Sequence, residues 1–245
     1  MSKYLENPAK TAVIICDMWD NHWCKGAAAR VKEMAPRMND LLTHLRNLGC
    51  VIIHCPSDTM SYYETAPQRK HTLNLAESGV ITINETNRAK IENLPKLYVD
   101  MDRIECDCGE VKCPQGQPWS KQISDLTIMD NDLIGNGEEV LKALNALGIN
   151  DALMMGVHTN LCVLHRGFAI KNLLRYGFNV TLVRDMTDCM APSDEPPYLN
   201  HFDNLSVVVS FIEAQLCPTT TSGELMGDNV IFTFAEDHKK HRFEY

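Results

Sequence analysis

The sequence predicts an α/β protein in which helices cover both faces of a doubly wound, mostly parallel sheet, a three-layer α/β/α arrangement. Four apolar segments are predicted to be buried strands because they are short and bounded by polar or turn residues. Stretches with helical periodicity lie between them, and this alternation indicates right-handed crossovers between parallel strands. The predicted strands are TAVIICD (11–17), CVIIHCP (50–56), DALMMGV (151–157) and NVTLVRD (179–185).

Three stretches have apolar residues at three- and four-residue spacing and are predicted to be helices. Each ends in a glycine, where a left-handed cap is expected. Pro36 is expected to bend or restart the first helix because proline has no amide hydrogen to donate. The three stretches are ARVKEMAPRMNDLLTHLRNLG (29–49), GNGEEVLKALNALG (135–148) and LCVLHRGFAIKNLLRYG (161–177).

All 245 residues (1–245) are expected to form one domain, since a single α/β core of this length is ordinary. Segment 64–122 is longer and more polar than an ordinary connection and fits the alternation poorly. We therefore expect an insertion there, over one edge of the sheet, as a lid or an oligomer contact. A C-terminal extension is expected from about residue 217, with a further strand at NVIFTF (229–234).

The composition favours a small molecule or a protein as the partner. There are 23 Lys and Arg residues against 32 Asp and Glu, a formal charge of -9, which disfavours nucleic acid and anionic membrane surfaces. The sequence shows no secretory signal pattern and no apolar run of membrane-spanning length, so a cytoplasmic protein is expected. The ten cysteines are scattered, which favours reduced, mostly buried thiols over a disulfide framework.

Chemically active side chains follow several predicted strands. Asp17 follows the first strand, His54 and Asp58 lie near the end of the second, and Cys162 lies beyond the third. Ligands bind at the carboxyl ends of the strands in such sheets, so these side chains could converge on one edge. A thiolate at the start of a helix would be stabilised by the unpaired amides there, and it is the thiolate that attacks a carbonyl group.

Two motifs carry a resemblance to a known family. AVIICDMWDNHW (12–23) resembles the first strand of the isochorismatase-like cysteine hydrolases, which ends in a D-M-x-x-D pattern, and GVHTNLCV (156–163) resembles their G-[VI]-x-T-[DN]-x-C-V signature. The likeness extends from about residue 11 to residue 215. It implies the isochorismatase-like, Rossmann-like fold and the hydrolysis of a small amide or related C–N bond through a cysteinyl thioester. It also implies no organic cofactor and a homo-oligomer.

The resemblance implies a catalytic triad of Asp, Lys and Cys. Asp17 would carry the proton and Cys162 would form the thioester. Lys121, in PWSKQISDLTI, is the candidate lysine, although it could instead be a solvated surface group, and Lys112 is a poorer candidate. The family also has a cis peptide bond before the residue that matches His158, so the backbone amides of His158 and Cys162 would form the oxyanion hole.

Three aromatic side chains close to Asp17 are candidates for substrate binding: Trp19, His22 and Trp23. Such side chains could orient a small planar amide, whereas the alternative is that they pack in the core. Members of the family that act on nicotinamide bind a metal through a D-x-H motif. That spacing is missing around His54, Asp58 and His71, so no metal site is predicted there and nicotinamide is disfavoured as the substrate.

Cys106, Cys108 and Cys113, in CDCGEVKC, could bind zinc with a fourth ligand from elsewhere. Their C-x-C-x₄-C spacing is not the common C-x-x-C arrangement, so a loop of reduced thiols is preferred. Two other functions stay open. One is vinyl-ether hydrolysis of the isochorismate type, which needs no thiol nucleophile, and the other is a zinc-stabilised scaffold that has lost catalysis.

Overall fold

The computed structural model describes residues 4–97, 105–106, 108, 111–190 and 198–237. Residues 98–104, 107 and 109–110 of the predicted insertion, and residues 238–245 at the end of the predicted extension, therefore lie outside the described residues. Among the described helices, none combines the length and the apolar character needed to cross a membrane.

The described elements alternate as the sequence predicts. The first half contains β1 (Thr11–Cys16), α1 (Lys25–Asn47), β2 (Val51–Cys55), α2 (Pro67–Ser78), α3 (Glu85–Glu92) and β3 (Leu133–Ile134). The second half contains α4 (Glu138–Ala146), β4 (Asp151–Val157), α5 (Cys162–His165), α6 (Ile170–Arg175), β5 (Asn179–Asp188), α7 (His201–Gln215), β6 (Thr219–Thr220) and α8 (Ser222–Met226). Short 3₁₀ helices occur at Pro8–Lys10 and Met60–Tyr63.

The six described strands form one parallel sheet in the order β3-β2-β1-β4-β5-β6. The direction of winding reverses between β1 and β4, which makes the carboxyl ends of these two strands the topological switch point. Asp17 follows β1 and His158 follows β4 at this point. Gly156 has a φ of 107° and lies so close to β1 that a Cβ there would be 2.0 Å from the Cys16 carbonyl oxygen. Only glycine fits this close approach.

Both faces of the sheet are buried, which explains why β1 is apolar along its whole length. Ala12 and Ile14 belong to an apolar cluster that includes residues of α4, α6 and α7. Val13 and Ile15 belong to a second cluster, with residues of α1 and α8. The predicted three-layer α/β/α fold class is confirmed.

Two helix predictions differ from the structure. The expected restart at Pro36 does not occur, because α1 buries apolar residues on both sides of it, including Met34 and Met38, and this packing outweighs one missing hydrogen bond. The single helix predicted over 161–177 is divided into α5 and α6. The chain between them passes close to a neighbouring loop, since a Cβ on Gly167 would lie 2.9 Å from the Gly137 Cα.

The predicted insertion begins as part of the helix layer. Its helices α2 and α3 pack against α4 and α6, respectively. Its last part, 111–122, forms no helix and crosses the carboxyl edge of the sheet, where Gln122 pairs with Trp19. The strand predicted at 229–234 is wrong: this stretch has no strand partner, and its aromatic side chains instead pack against the cluster beside α1.

Candidate active site

Asp17 and Cys162 meet at the switch point of the sheet. Asp17 follows β1 directly with a φ of 48°, and its carboxylate is fully buried. The Ser57 amide donates to Asp17 Oδ1 over 2.8 Å, and the Cys162 thiol lies within hydrogen-bonding reach of the same carboxylate. Cys162 is the first residue of α5 and is partly exposed. The structure thus brings together two of the three predicted triad residues.

The cation beside this pair is Arg166. Its Nε donates to Asp17 Oδ2 over 3.1 Å, its Nη2 donates to Asp58 Oδ2 over 2.9 Å, and its guanidinium lies within reach of the Cys162 sulfur. Lys121 Nζ instead lies 3.5 Å from the Tyr62 hydroxyl and 5.3 Å from the centre of the Tyr62 ring. The structure therefore does not bring Lys121 to Asp17, and Arg166 is the residue that the sequence reasoning missed.

The electrostatics of the pair favour a protonated thiol beside an acceptor. Burial raises the pKa of the Asp17 carboxyl, although Arg166 and the hydrogen bonds from Cys162 and Ser57 lower it. Burial, and next the charge of Asp17, raise the pKa of the Cys162 thiol. The resting state of the Cys162 sulfur is therefore expected to be a thiol and not the thiolate that the sequence predicted. The reasons are that α5 is a single turn with little dipole and that the neighbouring Asp17 carboxylate opposes a second negative charge.

Two backbone amides face the same corner. The peptide bond between Val157 and His158 is cis, as the resemblance implies. The amides of His158 and Cys162 donate to no acceptor within the part of the chain that the structure describes. Two such donors close to a nucleophile are the arrangement that stabilises an oxyanion.

A wall of aromatic rings adjoins the site. Trp19 and Trp119 stack with centroids 4.2 Å apart and an interplanar angle of 6°, and His22 stacks on Trp119 at 5.6 Å. Trp23 lies against His22 at 5.3 Å. Trp19 Nε1 donates to the Ser57 carbonyl over 2.8 Å, and Ser57 also binds Asp17, so the wall is joined to the site.

Asp20, the second aspartate of the D-M-x-x-D pattern, holds this wall together. Its carboxylate accepts hydrogen bonds from the Ser120 amide and hydroxyl at 2.9 and 2.6 Å, and from the Lys121 amide at 3.3 Å. These bonds fix the segment that carries Trp119. Asp20 therefore has a positioning role that the sequence pattern alone does not reveal.

Comparisons with known proteins identify the fold. No protein-family model matches the chain, and no curated protein matches it significantly. A cysteine hydrolase from Pseudomonas syringae superimposes with a TM-score of 0.58 and 16% identity, covering 93% of this chain and 96% of that one. An isochorismatase from Pseudomonas putida has a TM-score of 0.51 and 15% identity, over 89% and 90% of the two chains. The chain has the isochorismatase-like fold.

A third solved structure supports the same fold. An isochorismatase-like hydrolase from Alkaliphilus metalliredigens has a TM-score of 0.51 and 13% identity, covering 90% of this chain and 98% of that one. At this level of identity the likeness extends to the isochorismatase-like fold, and the chemistry must be argued from the side chains.

A buried carboxylate, that of Asp188, lies beside His158. Arg30 Nε donates to both oxygens of Asp188, at 3.1 and 3.0 Å, and the His201 ring also bonds to this carboxylate. His158 Nε2 lies 3.9 Å from Asp188 Oδ2. Although burial raises it, His201 and Arg30 hold the pKa of Asp188 far below its ordinary value. Burial lowers the pKa of His158 to about 3, so this ring is neutral at physiological pH.

The three residues weighed as a metal site do not come together. His54 is buried, with Nδ1 2.9 Å from Gln122 Oε1 and Nε2 3.1 Å from Asp132 Oδ2. Asp58 binds Arg166, and His71 is exposed on α2. Each of the three side chains therefore has a separate structural environment.

Proposed function

We propose that this protein is a hydrolase that cleaves a small amide or related C–N bond through a thioester on Cys162. The proposal rests on the position of the Cys162 sulfur, which lies within hydrogen-bonding reach of the buried Asp17 carboxylate, to which Arg166 is also bound. Nucleophile, proton acceptor and oxyanion donors coincide at one point, as acyl transfer requires.

In the first half of the reaction, the Cys162 sulfur attacks the substrate carbonyl carbon while the thiol proton moves to Asp17. The carbonyl oxygen becomes an oxyanion, which the His158 and Cys162 amides stabilise. When the oxyanion collapses, the C–N bond breaks and Asp17 returns the proton to the leaving nitrogen. The products of this half are an amine or ammonia and a thioester on Cys162.

In the second half, water attacks the thioester carbonyl. Asp17 takes one proton from the water, and the same two amides stabilise the second oxyanion. The C–S bond then breaks, the sulfur recovers the proton from Asp17, and the carboxylic acid leaves. One substrate and one water are consumed, and the enzyme is regenerated.

Arg166 supplies the positive charge that the resemblance assigns to a lysine. A guanidinium remains charged at every physiological pH and binds two acceptors in a fixed geometry, here Asp17 and Asp58. It orients the Asp17 carboxylate and stabilises negative charge on oxygen and sulfur, and it cannot itself relay the proton. The proton transfers therefore rest on Asp17 alone.

The aromatic wall favours a flat substrate. Trp19, His22 and Trp119 stack on one another beside Ser57, which binds Asp17, and Trp23 packs with Cys162 against the same apolar group. An aromatic or planar ureido group would pack against the partly exposed rings of Trp23 and Trp119. We therefore place Trp19, His22 and Trp23 in substrate binding, together with Trp119.

The test is turnover of a panel of small aryl amides, cyclic amides and ureido compounds, followed by release of ammonia or amine. Wild-type protein is expected to hydrolyse at least one of them. Arg166→Gln is expected to lower kcat/KM for that substrate by about 10²-fold, because the Asp17 carboxylate loses its cation. Lys121→Gln is the matched control and is expected to stay close to wild type.

The opposite pattern, with Lys121→Gln inactive and Arg166→Gln unaffected, would restore the lysine triad and contradict the assignment of Arg166. Turnover of an isochorismate-type vinyl ether, with none of any amide, would favour the vinyl-ether reaction instead.

A further inference from the structure

Four cysteines lie close together beside the aromatic wall. The sulfur atoms of Cys24, Cys106 and Cys108 lie within 4.8 Å of one another, and Cys24 Sγ is 3.5 Å from Cys108 Sγ. The Cys113 thiol is within hydrogen-bonding reach of Cys106 and Cys108. Cys24 precedes α1, whereas the other three lie in the predicted insertion, so the cluster joins two distant parts of the chain.

The spacing of these sulfur atoms suits a shared metal ion rather than a disulfide. Four thiolates at about 2.3 Å from a tetrahedral Zn²⁺ lie about 3.8 Å from one another. The Cys24–Cys108 separation of 3.5 Å is close to that value. A disulfide requires sulfur atoms about 2 Å apart, and none of these four cysteines forms one in the described part of the structure.

Hydrogen bonds to the sulfur atoms favour thiolates. The Gly26 amide, in the first turn of α1, donates to Cys108 Sγ over 3.2 Å, and the Cys113 amide donates to Cys106 Sγ over 3.4 Å. Amide donors of this kind orient and stabilise the thiolate ligands of structural metal sites.

We propose that Cys24, Cys106, Cys108 and Cys113 bind one structural Zn²⁺ ion. Four sulfur ligands complete a tetrahedron and leave no open position for substrate, so the ion has a structural role. The sequence favoured reduced thiols because no fourth ligand lay near CDCGEVKC. Cys24, 82 residues before Cys106, is that ligand, and only the fold brings it there.

The zinc site would stabilise the aromatic wall beside the candidate active site. The Cys24 amide donates to His22 Nδ1 over 3.0 Å, which places one ligand two residues from the aromatic wall. Trp23 and Cys162 pack against the same apolar group that contains Cys24 and Cys106. Zinc would therefore fix the insertion that carries Trp119. This inference does not depend on the proposed hydrolase function.

The experiment measures the zinc content of the full-length protein by elemental mass spectrometry, after dialysis against a zinc-buffered solution. We expect one zinc per chain in wild type and in Cys50→Ser, a variant of a buried cysteine outside the cluster. Cys106→Ser and Cys108→Ser are expected to lose most of it. Zinc is also expected to raise the Tm of wild type, because the ion binds only the folded chain.

A second measurement uses the wild type alone, so that it tests the proposal even if the serine variants fail to fold. Wild type loaded with Co²⁺ is expected to show thiolate-to-cobalt charge-transfer absorption and the intense visible bands of tetrahedral coordination. Alkylation of the four cysteines, mapped by peptide mass, is expected to be slow with zinc and fast after chelation. A wild type that binds no zinc, binds iron instead, retains zinc in both serine variants, or alkylates equally with and without the metal would overturn the proposal.

Discussion

Replacing Cys162 with alanine is expected to lower kcat/KM for the best amide substrate by at least about 10⁴-fold. The variant removes the nucleophile, so water would have to attack the amide without a covalent intermediate. The fold should persist, because Cys162 is partly exposed and alanine is tolerated in the first turn of α5. The measurement is steady-state turnover, with circular dichroism to confirm that the variant is folded.

Cys50→Ala is the matched control. Cys50 is also a free cysteine, but it precedes β2 at the amino end of the sheet, opposite the site, and it is 7% exposed. It should keep near-normal kcat/KM and lose some stability. A folded Cys162→Ala variant that retains turnover would show that the sulfur is not the nucleophile and would favour direct attack by water.

Asp17→Asn is expected to lower kcat/KM by about 10³-fold, within the range for loss of a general acid and base. Asparagine has the same shape, can still accept from the Ser57 amide, and leaves Arg166 bound to Asp58, so the geometry should be retained. It cannot take the thiol proton. Single-turnover kinetics should show that both the formation and the hydrolysis of the thioester slow, because Asp17 takes a proton in each half of the reaction.

The pH dependence gives this prediction a second readout. The acid limb of kcat/KM in wild type should reflect Asp17, whose pKa is raised by burial. Activity should be full above that pKa and fall as the pH falls through it, because the protonated carboxyl cannot accept a proton. Asp40→Asn, an exposed position on α1, should keep the wild-type rate and profile. An Asp17→Asn variant with the wild-type rate and the same acid limb would remove Asp17 from the mechanism.

The strands were predictable from the sequence because both faces of the sheet are buried, which makes β1 and most of β4 continuous apolar runs. The pairs Leu133–Ile134 and Thr219–Thr220 were missed because two residues carry no periodic signal. The division of the helix over 161–177 was missed because it depends on the contact of Gly167 with Gly137. That contact is between residues distant in sequence, and local periodicity does not report it.

The site was predictable where it is local. Asp17 and Cys162 each lie in a short motif, and their meeting follows from the parallel strands. Arg166 carried a usable signal, since it lies four residues after Cys162 and its amide bonds to the Cys162 carbonyl over 3.0 Å, one helical turn. The resemblance implies a lysine, whereas the cation beside Asp17 is an arginine three residues beyond the end of the GVHTNLCV motif.

The supporting groups were not predictable. Arg30, Asp188 and His201 are spread over most of the chain. The negative charge of Asp188 is stabilised only because the fold brings Arg30 and His201 to it. Trp119 and Cys24 show the same limit. Trp119 acquires its role through Trp19, 100 residues away, and Cys24 acquires its role through Cys106 and its neighbours, from 82 residues away.

The most direct test of the account is the mass of the protein quenched in acid during turnover of a slowly deacylating amide. The account predicts a species heavier than the free protein by the acyl group less one hydrogen, with the acyl group on the peptide that contains Cys162. It should disappear in Cys162→Ala and decay at the rate of acid release. Steady turnover with an unmodified Cys162, or with the acyl group on another residue, would contradict the account.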